Sequence, residues 1–181
     1  LRSSSAASDV YKRQASDPNF DYRQVGIMDQ EGIVGMHTGA ECRNWAGHEI
    51  IKGAAIFGNV LASHKTIEAM VKTFEKSKGI EFGKRLILTL EAGRNAGGQA
   101  SSDGLHLPER SAVLSIQTAD IVQDIDLRVD FHNDAVTELR RVYEGYSPYI
   151  EYYMRRARDP ENTPAQDAWV KEKLNDDDIQ F

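Results

Sequence analysis

Cys42 and His48 are the first pair of side chains that could do chemistry. They are expected in a loop that contains a tryptophan, and a thiol beside an imidazole can act as a nucleophile with its base. The sequence offers no third group that would orient the histidine, and a packed or partly exposed thiol is the competing interpretation. We therefore favour the packed thiol at Cys42.

A second cluster, Asp126, Asp130 and His132, stands on alternate residues and could ligate a metal. Alternate residues on a strand are well separated, and Arg128 stands between the acids. Acidic and basic side chains in this arrangement pair with one another. We predict an ion-paired, solvated strand face rather than a metal site.

Polar residues beside apolar strands are the remaining candidates. Asn59 follows one apolar run and Arg110 precedes another, so each could donate hydrogen bonds into a pocket, although Asn59 could equally serve a turn. The loop GGQASSDG has no Lys-Ser or Lys-Thr after its glycines and is not a P-loop. We predict a mobile loop that borders a pocket.

Composition excludes several classes of partner. The 181 residues carry 22 basic and 28 acidic side chains, a net charge of −6, which argues against nucleic acid or an anionic membrane as the main partner. The single cysteine, Cys42, cannot form an intrachain disulfide. No apolar run approaches the length of a membrane span. Cytoplasm is the favoured compartment, and an upstream export signal is left open.

Hydrophobic periodicity indicates the elements that position these side chains. RQVGIMD and GIVGMHTG predict a β-hairpin whose turn closes at a left-handed Gly32. The apolar run from Ala54 to Leu61 predicts a buried strand that ends at Gly58 and Asn59. Asn59 therefore stands at the end of a strand.

Two consecutive helices follow. The first is capped by Ser63 and stops at Gly79, and the second begins near Glu81 and ends in glycines. AVLSIQT and IDLRVDFH then predict two strands. The buried face of the second strand is expected to hold Ile125, Leu127, Val129 and Phe131.

Helices complete the chain. Asn133 is expected to cap one helix, Ser147 with Pro148 to start another, and Thr163 with Pro164 a short last one. Consecutive helices between groups of strands fit an α+β domain better than the regular alternation of a doubly wound sheet. The predicted fold class is therefore α+β.

The first fourteen residues, LRSSSAASDVYKRQ, differ in composition from the rest. They lack the apolar run of a signal peptide, and their pattern supports neither a helix nor a strand. They resemble read-through of sequencing-adapter or vector sequence, and a disordered native tail is the alternative. We predict that residues 1–14 are not native.

From Asp17 to Tyr146 the sequence resembles domain of unknown function family 1028 (DUF1028). The resemblance rests on the ordered motifs RQVGIMDQEGIVGMHTGAECRNWAGH, FGNVLA, EAGRNAGG, ERSAVL and DIDLRVDFHNDAVTELRR. The block from Thr38 to His48 is the strongest of them. The segment from Gln99 to Glu109 is longer than the family pattern, so what this loop recognises is left open.

The resemblance implies the amino-terminal-nucleophile (Ntn) hydrolase superfamily and a partial four-layer αββα sandwich. In that superfamily the first residue of the mature chain is the nucleophile, and its α-amino group, with a pKa near 8, is the base. We expect this residue upstream, which would leave a fragment without activity. Asn59 becomes a candidate oxyanion or substrate-orienting donor, with His48 and Arg110 as weaker pocket candidates. The resemblance implies neither a metal nor a cofactor.

Three functions stay open at this point. The first is hydrolysis of a small-molecule or peptide-like amide, the second is ligand binding without catalysis, and the third is a structural subunit of a homo-oligomer. An apolar patch around Tyr149, Tyr152 and Tyr153 would favour the third. The expected organisation is a non-native segment 1–14, an Ntn-like part 15–146 and a helical extension 147–181.

Overall fold

The computed structural model describes residues 5–43, 45–119 and 125–173. In chain order the elements are α1 (Ala6–Ser16), a short 3-10 turn (Phe20–Tyr22), β1 (Gln24–Met28), β2 (Val34–Thr38), β3 (Gly47–Ile51), β4 (Ala54–Gly58), α2 (His64–Lys76), α3 (Phe82–Asn95), β5 (Gln99–Ala100), β6 (His106–Leu107), β7 (Ala112–Ile116), β8 (Ile125–Val129), α4 (Ala135–Arg158) and α5 (Gln166–Lys173). This mixture of helices and strands confirms the α+β prediction.

The described residues divide into two compact units. Unit 1 takes in the chain up to Ile80 together with Leu88–Pro108, and unit 2 takes in Glu81–Ile87 and the chain from Glu109 onward. Within the described parts the strands pair as antiparallel hairpins, β1 with β2, β3 with β4, β5 with β6 and β7 with β8. The predicted division at residue 146 stays a prediction.

The first hairpin of unit 1 forms as the sequence predicts. β1 pairs with β2 in a register that sets Gln24 opposite Thr38. Gly32 has a φ of +79°, and the carboxylate of Asp29 accepts hydrogen bonds from the backbone N–H groups of Glu31 and Ile33 at 3.1 and 2.8 Å. The turn therefore has both the left-handed glycine and the side-chain acceptor that such turns favour.

The second hairpin was only half predicted. β4 confirms the strand predicted from residue 54, but its partner β3 contains His48, which we had assigned to a loop around the tryptophan. The expectation of a loop is wrong because GHEII gives no clear polar and apolar alternation, and its pairing with β4 supplies the order. The turn between the two strands closes at Gly53, with a φ of +73°.

Helix α2 is capped by Ser63, whose hydroxyl oxygen accepts from the N–H of Lys65 at 3.3 Å. Ile67 of this helix is buried, and Gly79, with a φ of +90°, follows it as predicted. The polar loop after α3 is not irregular, since β5 and β6 form a two-residue ladder across it. The prediction that this loop is mobile and borders a pocket stays a prediction.

The residues from Ala6 to Ser16 form helix α1, which contradicts the prediction that this segment supports no helix. The Ser5 hydroxyl accepts from the N–H of Ser8, and Ala6 is buried. A Cβ placed on Gly35 would meet the Ala6 backbone at 2.8 Å, so α1 lies directly on β2. Local capping and this glycine contact outweigh a weak hydrophobic pattern. The non-native origin of residues 1–14 stays a prediction.

In unit 2, β7 pairs with β8 and buries Leu114, Ile125 and Val129. Phe131 was expected on the same buried face, but its side chain is 73% exposed. The strand ends at Val129, so the alternation no longer applies two residues later.

Helix α4 differs from the prediction at both of its marked positions. Asp134 rather than Asn133 is the N-cap, and it accepts from the N–H of Thr137 at 3.2 Å. The helix also continues through Pro148, where we expected a new helix to start. Aromatic packing on either side of the proline accompanies this continuity, since the rings of Tyr146 and Tyr153 stack at 6.1 Å.

The short helix α5 confirms the predicted last element. Its Trp169 is 1% exposed and lies 5.7 Å from the ring of Tyr152. Tyr152 is thus buried, Tyr149 is half-buried and Tyr153 is 41% exposed. These three tyrosines do not form the large exposed patch that would favour a structural subunit.

Candidate functional site

The side-chain amide of Gln24 is the centre of a polar network in unit 1. Its Nε2 lies 3.0 Å from Thr38 Oγ1 and 3.0 Å from each of the carbonyl oxygens of Gly47 and Gly58. Those two glycines face each other at the open end of the β3–β4 hairpin. Gln24 therefore ties the first hairpin to the end of the second.

Thr38 extends this network to His48. The Thr38 Oγ1 atom lies 2.8 Å from His48 Nδ1, and both side chains are half-buried. At the other end, Asn59 Nδ2 donates to Gln24 Oε1 at 3.4 Å. We call these four residues, Gln24, Thr38, His48 and Asn59, the Gln24 network.

The network brings together two of the three predicted pocket residues. Sequence reasoning singled out Asn59 and His48 separately, and the structure joins them through Gln24 and Thr38. It missed Gln24, although this residue begins β1, and it noted Thr38 only as part of the family block. The pairing of Gln24 with Thr38 across the first hairpin was the available signal, because directly opposed residues share a face.

The backbone next to Asn59 is strained. Val60 has a φ of +57°, a conformation that a β-branched residue rarely adopts. Hydrogen bonds hold it on both sides, since its N–H donates to the carbonyl of Arg43 at 3.1 Å and its own carbonyl accepts from Ala100 at 2.9 Å. Strain of this kind persists where the surrounding structure fixes the chain, and it concentrates at functional sites.

Cys42 takes no part in the network. Its backbone N–H donates to the carbonyl of Gly39 at 3.1 Å, and its side chain is half-buried. Within the described residues His48 Nδ1 bonds to Thr38, and no hydrogen bond joins it to Cys42. This geometry favours the packed thiol over a thiol and imidazole pair.

Arg110, the third predicted pocket residue, lies in unit 2 and is exposed. Its guanidinium carbon lies 5.7 Å from the centre of the Phe131 ring, a cation–π contact. Its backbone carbonyl accepts from the N–H of His132 at 2.9 Å. Arg110 thus contacts Phe131, an exposed aromatic residue just beyond the end of β8.

The predicted acidic face is only partly a strand face, because β8 ends at Val129 and both Asp130 and His132 lie beyond it. Arg128 Nη2 lies 3.1 Å from Asp130 Oδ1, and the imidazole Nδ1 of His132 lies 2.9 Å from the carbonyl oxygen of Asp134. The predicted ion pairing is confirmed for Arg128 and Asp130. Among the described residues, no group of three or more His, Cys, Asp or Glu is placed to hold a metal.

Two surface clefts lie outside the Gln24 network. One, of about 380 Å³, lies between β3 and α2, and the other, of about 520 Å³, lies between α1 and β1. Neither is lined by Asn59, His48 or Arg110. The helices of the described parts include none long and apolar enough to cross a membrane.

Glu81 and Tyr143 form an electrostatically coupled pair in unit 2. Burial disfavours the charged carboxylate of Glu81, but hydrogen bonds from the Tyr143 hydroxyl and from the backbone of Lys84 and Gly83 outweigh it and lower its pKa. Burial and the bond to Glu81 raise the pKa of Tyr143. The pair anchors the start of α3 to α4.

Comparison with known proteins places this α+β chain in a family. Residues 1–139 match the family of unknown function DUF1028. The chain therefore belongs to DUF1028, which confirms the resemblance drawn from its motifs. Among curated proteins none matches this chain.

A solved structure has a similar fold. The chain is similar to the crystal structure of protein SPO2555 from Silicibacter pomeroyi, also of family DUF1028, with 24% sequence identity and a TM-score of 0.71. The similarity covers 84% of this chain and 65% of that one. This chain thus spans about two thirds of its neighbour's length, and the likeness concerns the fold alone.

Proposed function

We propose that the full-length protein is an Ntn-type amide-bond hydrolase, to which the Gln24 network contributes a wall of the substrate pocket. The observation that carries the proposal is the hydrogen-bonded connection from Asn59 through Gln24 and Thr38 to His48. It joins side chains from two hairpins, and backbone hydrogen bonds hold the strained Val60 next to Asn59, whose side chain is exposed. Polar groups held by hydrogen bonds suit a substrate that must be bound in one orientation.

The proposed reaction is acyl transfer to the first residue of the mature protein. A Ser, Thr or Cys at that position attacks the carbonyl carbon of the amide, while the α-amino group takes its proton and passes it to the leaving amine. Water then hydrolyses the acyl-enzyme. The amide of Asn59 donates to the oxyanion that forms during the attack, which a preorganised side-chain amide does well.

In this proposal the nucleophile is the first residue of the mature full-length protein. Its sheets belong to a four-layer αββα sandwich. The substrate is a small-molecule or peptide-like amide, in keeping with the acidic net charge of −6. His48 is a proposed pocket residue, and the pocket role predicted for Arg110, in unit 2, stays a prediction.

The complete reading frame tests this proposal. The full-length protein is expressed without a tag, its mature first residue is identified by mass spectrometry, and amine release is measured over a panel of simple amides. We expect Ser, Thr or Cys at that position, and we expect its replacement by Ala to abolish amine release. Any other mature first residue would refute the hydrolase proposal and leave ligand binding without catalysis as the function of the same network.

A further inference from the structure

The orientation of the Gln24 amide is fixed by its neighbours. The carbonyl oxygens of Gly47 and Gly58 can only accept hydrogen bonds, and both lie 3.0 Å from the same Gln24 atom. That atom must therefore be the nitrogen, with its two hydrogens shared among three acceptors. The amide oxygen then faces Asn59, whose amide donates to it.

This orientation decides where the hydroxyl hydrogen of Thr38 points. An amide nitrogen does not accept hydrogen bonds, so the Thr38 oxygen accepts from Gln24 and cannot donate to it. Within the described residues the other partner of Thr38 Oγ1 is His48 Nδ1, at 2.8 Å. A Thr38 hydroxyl that donates to Nδ1 satisfies both groups among the described residues, and this arrangement requires an unprotonated Nδ1.

We infer that Gln24 is a positioning residue that, through Thr38, holds neutral His48 as the tautomer with its hydrogen on Nε2. His48 is half-buried, and in the described part of the chain its Nε2 has no hydrogen-bond partner. His48 therefore presents a neutral N–H donor rather than a base. The ligand atom that fits it is an oxygen acceptor of a carbonyl or carboxylate group. This ligand assignment rests on the proposed function, whereas the tautomer does not.

Nitrogen NMR tests the tautomer directly, because protonated and unprotonated imidazole nitrogens resonate far apart. Spectra of the ¹⁵N-labelled 181-residue chain are recorded at about pH 8.5, well above the ordinary histidine pKa of about 6.5. His48 is assigned by its absence in His48→Asn, and the exposed His64 serves as an internal control. We expect an unprotonated Nδ1 and a protonated Nε2 at His48.

Gln24→Glu replaces the hydrogen-bond donor at the centre of the Gln24 network with an acceptor. A carboxylate accepts from Asn59 as the amide oxygen does, but it has no hydrogen to donate to Thr38 or to the carbonyls of Gly47 and Gly58. Water should then take over the two half-buried carbonyls, and the Thr38 hydroxyl should turn toward residue 24. Nδ1 of His48 should then become protonated and donate to Thr38. Thr38→Ser keeps the hydroxyl and should leave the wild-type tautomer unchanged.

Two outcomes overturn the inference: a protonated Nδ1 in wild type, or an unchanged Nδ1 in folded Gln24→Glu. If Gln24→Glu does not fold, a protonated Nδ1 in wild type or in Thr38→Ser still overturns the inference. The spectra are recorded without substrate, so the two proposals can fail separately. An inactive full-length protein with the expected tautomer would refute the hydrolase proposal and leave the role of Gln24 standing. An active full-length protein with a protonated Nδ1 at His48 would refute the role of Gln24 and leave the hydrolase proposal standing.

Discussion

Replacing Tyr143 with Phe should destabilise the protein through the loss of one hydrogen bond. The Tyr143 hydroxyl donates to the Glu81 carboxylate, and the ring fits over Gly83, where an added Cβ would lie 2.8 Å from it. A hydrogen bond to a charged group contributes about 1.5 to 3 kcal/mol. Glu81 is exposed enough for water to replace the lost donor, so we expect the lower end, about 1.5 kcal/mol.

The loss should depend on pH in a defined direction. The folded-state pKa of Glu81 is lowered from 4.5, so its contribution is present above about pH 4.5 and is lost as the pH falls through the lower, folded value. Tyr143→Phe removes one of the bonds that lower this pKa. The stability difference between wild type and variant should therefore be full near neutral pH and should shrink under acid conditions.

Urea denaturation followed by circular dichroism measures this difference at neutral and at acid pH. Tyr149→Phe is the matched control, because Tyr149 lies on the same helix and its hydroxyl has no hydrogen bond within the described residues. An equal loss in both variants would refute our reasoning, as would a loss at Tyr143 that stays constant down to acid pH.

Four further substitutions at three positions test local packing and capping by the same denaturation measurement. Gly39→Ala should cost about 3 kcal/mol, since its Cβ would lie 2.0 Å from the backbone oxygen of Asp21; a variant as stable as wild type would contradict this contact. A Cβ added at Gly145 on α4 would face open space, so Gly145→Ala should instead raise stability by about 0.5 to 1 kcal/mol. A loss of stability would contradict the open space at this position. Ser63→Ala should cost about 1 kcal/mol and Ser63→Asp little, because only the first removes the acceptor for the Lys65 N–H; equal losses would exclude the capping role.

Local patterns predicted the elements whose sequence signals agree with one another. The first hairpin has apolar runs, an aspartate and a glycine at the turn, and helix α2 has a serine cap and a terminal glycine. In each case the structure follows the pattern. Asn133 and Pro148 were each interpreted from a single residue type. Asp134 caps α4 instead of Asn133, and the helix continues through Pro148 beside stacked tyrosine rings.

Long-range pairing explains most of what the sequence could not predict. The sequence of β3 has no clear polar and apolar alternation, and this segment forms a strand by pairing with β4. Phe131 is exposed because β8 ends before it. The candidate site shows the same limit. Asn59 and His48 were recognisable as polar residues in family motifs, but Gln24 joins them through bonds to residues 14, 23 and 34 positions away, which no local pattern encodes.

The most direct test of the central claim is the effect of Asn59→Ala on kcat in the full-length protein. If the Asn59 amide stabilises the oxyanion, its removal should lower kcat by about 10² to 10³ fold with little change in stability. Asn133→Ala, at an exposed asparagine of unit 2, is the matched control and should leave kcat unchanged. A kcat for Asn59→Ala equal to that of the control would contradict the assignment of the Gln24 network to the substrate pocket.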